Sequence, residues 1–252
     1  MFKTLLARAR QGYRTAGFPA EEPGLPALFR GRPELDPTKC TDGCRQCVDA
    51  CPTGALRVAE AGVELDIGRC IFCEECVAAC PEGAIAFTRD WRVAASRRED
   101  LIVTDDNRPR VDALGRELRR LLGRSLRLRQ VSAGGCNGCE VEVNALGNVV
   151  FDGSRFGIEF VASPRHADGI LVTGPVTANM KQALLITYEA AAEPKLVIAA
   201  GACAISGGLY RSHPEVSDGV EGLLPVDLYI PGCPPHPITI LDGLLRLLGR
   251  NG

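Results

Sequence analysis

The pattern of apolar and polar positions divides the chain into two halves of different character. From residue 126 onward, apolar or alternating runs at 126–131, 158–162, 169–173, 195–200 and 226–230 predict strands. Amphipathic runs at 139–147, 176–192 and 237–249 predict helices between them. Strands that alternate with helices predict a parallel, doubly wound, flavodoxin-like α/β sheet. Before residue 100 the apolar pieces are much shorter. Leu56-Arg57-Val58 and Ile85-Ala86-Phe87 each follow a cysteine-rich turn, which predicts a small α+β domain. Between the halves, Leu114, Leu118, Leu121 and Leu122 fall at helical spacing among arginines, giving an amphipathic helix with one buried stripe. Residues 2–14 predict another helix: Phe2, Leu5, Leu6, Ala9 and Tyr13 fall near one face, with Lys3, Arg8, Arg10 and Arg14 interleaved. Such a helix is either an anchor for a partner or membrane surface, or an ordinary helix packed on its own domain. Pro19, Pro23, Pro26 and Pro33 then make an extended connector. The resulting organisation is a helix and connector over 1–33, a cysteine-rich domain over 34–92, an arginine-rich linker over 93–125 and an α/β domain over 126–252.

Charge follows these boundaries. Residues 1–33 carry six basic and two acidic residues, and 34–88 carry four and ten. Residues 89–129 carry twelve arginines against seven acidic residues, and 130–252 carry seven basic against twelve acidic. The basic segments lack interleaved aromatics and any known nucleic-acid motif, so they read as surfaces for acidic protein and not as a nucleic-acid interface. The longest uncharged stretch, Leu196 to Tyr210, is 15 residues and glycine-interrupted, whereas a membrane span needs about 20 apolar residues. No transmembrane segment is expected. Charge within the first apolar stretch also argues against a secretory signal.

The 252 residues include twelve cysteines. In a chain without a secretory signal they point to metal binding and not to disulfides. Residues 40–87 contain an internal repeat: Cys44-x2-Cys47-x3-Cys51-Pro52-x-Gly54-Ala55 recurs as Cys73-x2-Cys76-x3-Cys80-Pro81-x-Gly83-Ala84. The run from Cys70 through Cys73 and Cys76 to Cys80-Pro81 has the spacing of a bacterial ferredoxin. Three close thiolates wrap three corners of a cubane, and the fourth cysteine leaves on the following helix to serve the other cluster. Cys40, Cys44, Cys47 and Cys80 are therefore candidate ligands of one [4Fe–4S] cluster, and Cys70, Cys73, Cys76 and Cys51 of a second. Cys40 precedes Cys44 by four positions instead of three. Gly43 is expected to absorb the extra residue as a bulge; a [3Fe–4S] site with a free Cys40 is the alternative.

The remaining four cysteines lie in the α/β half. Cys136 and Cys139 sit in the glycine-rich loop Gly134-Gly135-Cys136-Asn137-Gly138-Cys139 after the first strand. Cys203 and Cys233 follow the strands at 195–200 and 226–230. Loops at the carboxyl ends of parallel strands share one rim, so these four are candidate ligands of a third [4Fe–4S] cluster. The first loop lacks the hydroxyl-rich run of a flavin phosphate cradle. A zinc-stabilised binding protein is the reading from a different class, but zinc sites pair two separate knuckles; colour distinguishes them, since iron–sulfur protein is brown. Glu140 and Glu142 flank the third site, either handling protons or compensating the helix dipole. His166, His213 and His236 read as ordinary loop or helix-start residues, and Gly174-Pro175 as a shaper of the pocket.

Four stretches carry a resemblance: Gly135-Cys136-Asn137-Gly138-Cys139-Glu140, Ser163-Pro164-Arg165-His166-Ala167-Asp168-Gly169, Gly201-Ala202-Cys203-Ala204 and Pro231-Gly232-Cys233-Pro234-Pro235. Through them residues 131–252 resemble the small subunit of energy-converting [NiFe] hydrogenases, of the formate hydrogenlyase and hydrogenase 4 type, and the homologous 20 kDa subunit of complex I. The separated Cys136 and Cys139 favour the hydrogenase branch, because the complex I subunits usually carry adjacent cysteines. Residues 1–100 resemble the two-cluster ferredoxin-like subunit of the same complexes, through Phe29-Arg30-Gly31-Arg32-Pro33-Glu34 and Trp91-Arg92-Val93 beside the cysteine runs. The resemblance implies two neighbouring subunits fused into one. It implies an electron-transfer subunit with three [4Fe–4S] clusters, without catalytic residues of its own. The implied partners are a [NiFe] large subunit, membrane ion-translocating subunits and an electron-donor subunit, at the cytoplasmic face of the inner membrane. A complex I-like carrier to quinone and a relative whose large subunit has lost nickel are the alternatives.

Overall fold

The computed structural model describes residues 2–41, 43–59, 62–103, 109–122 and 125–250. Helix α1 (Phe2–Gln11) stops at Gly12, whose φ of +65° turns the chain out of the helix. All ten residues of α1 are exposed, so this helix does not pack on its own domain. Residues 16–18 return to the body of the molecule: Ala16 N donates to Val150 O at 2.8 Å, and Phe18 is buried edge-on against Trp91.

The cysteine-rich unit follows the internal repeat. Its elements are β1 (Pro33–Leu35), α2 (Gln46–Asp49), β2 (Leu56–Ala59), β3 (Gly62–Asp66), α3 (Glu75–Ala79) and β4 (Ile85–Phe87). α2 and α3 occupy equivalent places in the two halves, as do β2 and β4. Gly54 and Gly83, also equivalent, both have φ +59°. Each short helix ends before its Cys-Pro pair, where proline forbids continuation. β1 pairs antiparallel with β4, and β2 with β3.

The segment expected to begin a linker is built into the fold and touches both units, Ala95 pairing with Tyr229 and Ile102–Val103 with β3. Residues 93–95 are buried, and β5 (Ile102–Val103) adds to the edge of β3. Asp66 on β3 receives both guanidinium nitrogens of Arg98, at 2.8 and 2.6 Å, a bidentate geometry that fixes the strap. Residues 104–108 and 123–124 of the expected linker lie outside the described residues. Its helix is present as α4 (Arg116–Leu122), with Leu122 buried and Leu121 exposed.

The second unit runs β6 (Leu126–Ser132), α5 (Gly138–Ala145), β7 (Ile158–Phe160), β8 (Gly169–Thr173), α6 (Ala178–Ala190), β9 (Leu196–Ala200), α7 (Ala202–Ser206), β10 (Leu228–Ile230) and α8 (Pro237–Leu247). The sheet order is β10-β9-β8-β6-β7, all parallel. This is the doubly wound, flavodoxin-like order, with its switch point between β6 and β8. β8 and β9 are buried at every position because both faces of the sheet are covered. β10 is shorter than the run at 226–230, since Asp227 turns its carboxylate to Val197 N at 2.8 Å and caps the start of the strand.

One apolar cluster crosses from unit to unit. Leu65, Ile67 and Leu101 of the first pack with Val172, Val197 and Ile205 of the second. Ala95 and Tyr229 exchange backbone hydrogen bonds at 3.0 and 2.8 Å, and Ser206 Oγ donates to Gly68 O at 3.0 Å. The two units therefore share a core and are not beads on a string.

Candidate functional site

The repeat folds so that each half contributes to both of its cavities. One enclosed cavity is lined by Cys40, Cys44, Cys47 and Cys80, closed by Leu35, Val63 and Ile85. The other is lined by Cys51, Cys70, Cys73 and Cys76, closed by Leu56, Leu65 and Phe87. The exchange of Cys51 and Cys80 follows from the helices: each carries its last cysteine away from its own triplet and toward the other. Backbone amides point at sulfur. Ala55 N donates to Cys51 Sγ at 3.2 Å, Ala84 N to Cys80 Sγ at 3.3 Å and Phe72 N to Cys70 Sγ at 3.3 Å. Such donors favour thiolates, the form that binds iron. At Cys51 burial acts to raise the pKa, but donors from Thr53, Ala55 and Leu56 outweigh it and hold the thiol below its ordinary value. Cys70 lies at the other extreme. Burial pushes it up to about 12, assisted by Cys76, Cys51 and Cys73 facing it. A cationic metal core would remove that mutual repulsion.

Gly43, with φ +75° and open space at its Cα, sits in the longer Cys40–Cys44 turn. That conformation suits glycine, as expected for a bulge; Asp42 itself lies outside the described residues. Cys40 still lines the first cavity with its three companions.

The second cysteine loop is held from outside the repeat. Phe72 and Glu74 adopt left-handed backbone, with φ 57° and 68°, a conformation that costs energy in residues with a Cβ. Arg30 grips both: Nε lies 2.6 Å from the Glu74 carboxylate and Nη1 donates to Phe72 O at 3.3 Å. The sequence marks this lead-in only through a resemblance; its structural task is not visible there, since the partners lie more than forty positions away.

On the α/β unit, Cys136 and Cys139 follow β6, Cys203 follows β9 and Cys233 follows β10, all at the carboxyl rim. Their thiols sense one another. Cys139 is raised by burial and then by Cys203, Glu140, Cys233 and Cys136. Cys203 is pushed up to about 11 by burial, then by Cys233 and Cys136. Gly201 (φ +91°) makes the convergence sterically feasible, since a Cβ there would lie 2.5 Å from Cys139 Sγ. Gly174 backs directly onto Gly135, where an added Cβ would meet Gly135 N at 2.5 Å, so a glycine at 174 lets this loop pack closely. Among the described residues no three His, Cys, Asp or Glu side chains converge on a single metal-ion position. The two thiol sets of the cysteine-rich unit line cavities instead.

Glu140 is buried beside Cys139, and its Oε1 accepts from Thr173 Oγ1 at 2.7 Å. Burial opposes its charge, but hydrogen bonds from Ser132 and Thr173 prevail and lower its pKa. Thr173, at the end of β8, is a site residue that the hydrophobic pattern of that strand concealed. Glu142 is raised by burial. It lines a cleft between the two units, together with Cys73 of the second cavity and Cys233 of the rim site. Cys233 is raised by burial, then by Cys136 and Cys73, so the two sites are electrostatic neighbours. The histidines have ordinary tasks. His236 Nδ1 caps α8 by accepting from Ile238 N at 3.2 Å, and His213 Nδ1 accepts from Glu215 N at 3.2 Å; His166 is exposed in a short turn.

A doubly wound sheet with four thiols on its rim, joined through a common core to a unit with two further four-thiol cavities, defines an iron–sulfur electron-transfer protein. Comparison with known proteins makes the class specific. The family of the NADH ubiquinone oxidoreductase 20 kDa subunit matches residues 136–247, and a 4Fe-4S dicluster domain matches residues 39–84. The probable membrane-bound hydrogenase subunit mbhJ of Pyrococcus furiosus is 39% identical over 149 residues, covering 59% of this chain and 89% of that one. Formate hydrogenlyase subunit 7 of Escherichia coli is 47% identical over 126 residues, covering 50% of this chain and 49% of that one. An NADH-quinone oxidoreductase subunit of Geotalea uraniireducens is 48% identical over 114 residues, covering 45% of this chain and 66% of that one. The chain belongs to the family of the NADH ubiquinone oxidoreductase 20 kDa subunit and carries a 4Fe-4S dicluster domain in front of it.

Proposed function

We propose that the chain holds three [4Fe–4S] clusters and relays single electrons between the dicluster unit and the rim of the α/β unit. The ligand sets are Cys40, Cys44, Cys47 and Cys80; Cys70, Cys73, Cys76 and Cys51; and Cys136, Cys139, Cys203 and Cys233. The clusters supply one-electron exchange without bond making. The chain's residues supply the rest. The amides of Ala55, Phe72 and Ala84 donate to sulfur, and the apolar walls of Leu56, Leu65 and Phe87 exclude water. These are the levers that set a cluster's potential. The observation that carries the proposal is the lining of two cavities by four thiols each, together with the influence of Cys203, Cys233 and Cys136 on Cys139 at the rim and the presence of Cys73 and Cys233 on one cleft.

The partner at the rim is, on this reading, a [NiFe] hydrogenase-like large subunit. The complex would include membrane ion-translocating subunits and an electron donor, at the cytoplasmic face of the inner membrane. Support comes from the named hydrogenase and formate hydrogenlyase relatives, and from the Cys136–Cys139 spacing. The similarity to an NADH-quinone oxidoreductase at comparable identity keeps a second reading, transfer toward quinone, as the rival. Mild-detergent purification of the tagged chain from its native cells tests this. It should bring down a large subunit with two Cys-x2-Cys pairs and nickel, and the cluster-loaded chain alone should neither evolve nor consume hydrogen. A nickel-free partner without those pairs would favour the quinone reading; hydrogen turnover by the chain alone would overturn both.

A further inference from the structure

Among the α-helices of the described residues, α1 alone has no buried residue, yet its root is firmly held. Arg155 Nη2 donates to Ala16 O at 2.8 Å and to Phe18 O at 2.7 Å, Ala16 N donates to Val150 O, and Phe18 is 6% exposed. The molecule thus fixes where the helix departs and leaves its faces uncovered. Those faces are strongly segregated. At about 100° per residue, Phe2, Leu5, Leu6 and Ala9 fall within one arc about 100° wide. Lys3 and Arg10 border that arc on one side and Arg8 on the other. Phe2, Leu5 and Leu6 are 82%, 62% and 46% exposed, a contiguous apolar stripe of the kind that marks an interaction surface. No acidic residue occurs before Glu21. Beside the root, Val149 and Val150 extend the exposed apolar surface.

We propose that α1 lies in the surface of an anionic lipid bilayer. Its Phe2, Leu5, Leu6 and Ala9 face enters the boundary of headgroups and acyl chains, and Lys3 and Arg10 reach lipid phosphates; Arg8 instead donates to Gly12 O at 2.8 Å and stacks on the Tyr13 ring, which holds the turn at the end of the helix. Two features select lipid over a protein groove. Lys3 and Arg10 border the apolar arc, so their long stems run along it while their charges stay at headgroup level. The whole turn-by-turn polar face is cationic or neutral, which complements a negative surface and not a mixed protein one. Among the described residues no helix is long and apolar enough to cross a membrane, so contact at the surface is the mode this helix can support. The proposal rests on the peripheral-subunit reading given above, but not on the number or ligands of the clusters.

The test is flotation of the full, cluster-loaded chain with vesicles of phosphatidylcholine alone or enriched in phosphatidylglycerol. The expected result is at least about tenfold more binding to the anionic vesicles, lost progressively with salt. Leu5→Glu should abolish binding, and Lys3→Gln with Arg10→Gln should weaken it and flatten its salt dependence. The visible and paramagnetic spectra of these variants should be unchanged, which separates this test from failure of the cluster assignment. Absence of flotation by the parent chain, or equal flotation of Leu5→Glu, overturns the proposal. So does protection of α1 from hydrogen exchange in the assembled complex without any vesicle binding, a result that would give the helix to a protein partner.

Discussion

Cys51 and Cys70 mark the range over which this chain tunes a thiol. Both line the same cavity, yet amide and hydroxyl donors hold Cys51 low while burial lifts Cys70 to about 12. Cys76 and Cys203, also faced by other thiols, rise through burial to about 11. In the iron-free chain this has a consequence for stability. An unfolded thiol titrates near 8.5, so above that pH the unfolded chain gives up protons that the folded chain keeps. Stability is then present in full below about pH 8.5 and declines as pH rises toward about 11 to 12. The urea midpoint of iron-free protein should be lower at pH 10 than at pH 8; an equal or higher midpoint would contradict the burial of these thiols. A second prediction concerns the rim. Cys203→Ser or Cys233→Ser should remove or alter one paramagnetic centre of the reduced protein and leave two ferredoxin-type signals. Three unchanged signals in either variant would refute the rim assignment.

Among the elements, the strap of residues 93–103 matters most, because it belongs to both units. Leu101 is fully buried in the cluster that spans Leu65 and Ile67 on one side and Val172 and Val197 on the other. Leu101→Ala should cost about 2 to 5 kcal/mol, and hydrogen exchange should quicken in both units together. Loss of protection confined to the dicluster unit would mean that the shared core does not couple them. This strap also shows where the sequence was legible and where it was not. The cysteine triplets and the strands at 169–173 and 196–200 stand out because spacing and continuous apolar runs are local signals. β5 has two residues and no period to detect. Its place depends on pairing with β3, and on Asp66 meeting Arg98 thirty-two positions away. Arg30 on the Phe72–Glu74 turn and Thr173 on Glu140 are hidden for the same reason: contacts between distant residues leave no trace in one sequence. The convergence of Cys203 and Cys233 on Cys139 could be read only because parallel-sheet topology dictates where strand ends lie.

At the scale of the whole molecule, the shared core turns two redox units into one rigid conductor. A flexible tether would let the distance between Cys73 and Cys233 wander, and electron transfer falls steeply with distance. Here the Ala95–Tyr229 bridge, the Ser206–Gly68 bond and the cluster around Leu101 hold both cysteines on one cleft. At either end of this arrangement a site reaches the surface, through Cys40 of the first cavity and through Cys136 of the rim. That suits a relay that meets a partner at each end. The central claim is that twelve cysteines hold three one-electron centres. Anaerobic protein with verified cluster loading should contain about twelve iron atoms, four per cubane. Reductive titration followed by paramagnetic resonance should take up about three electrons per chain, one for each cubane. Uptake of about one electron with about four iron atoms, or colourless protein holding zinc, would contradict the account.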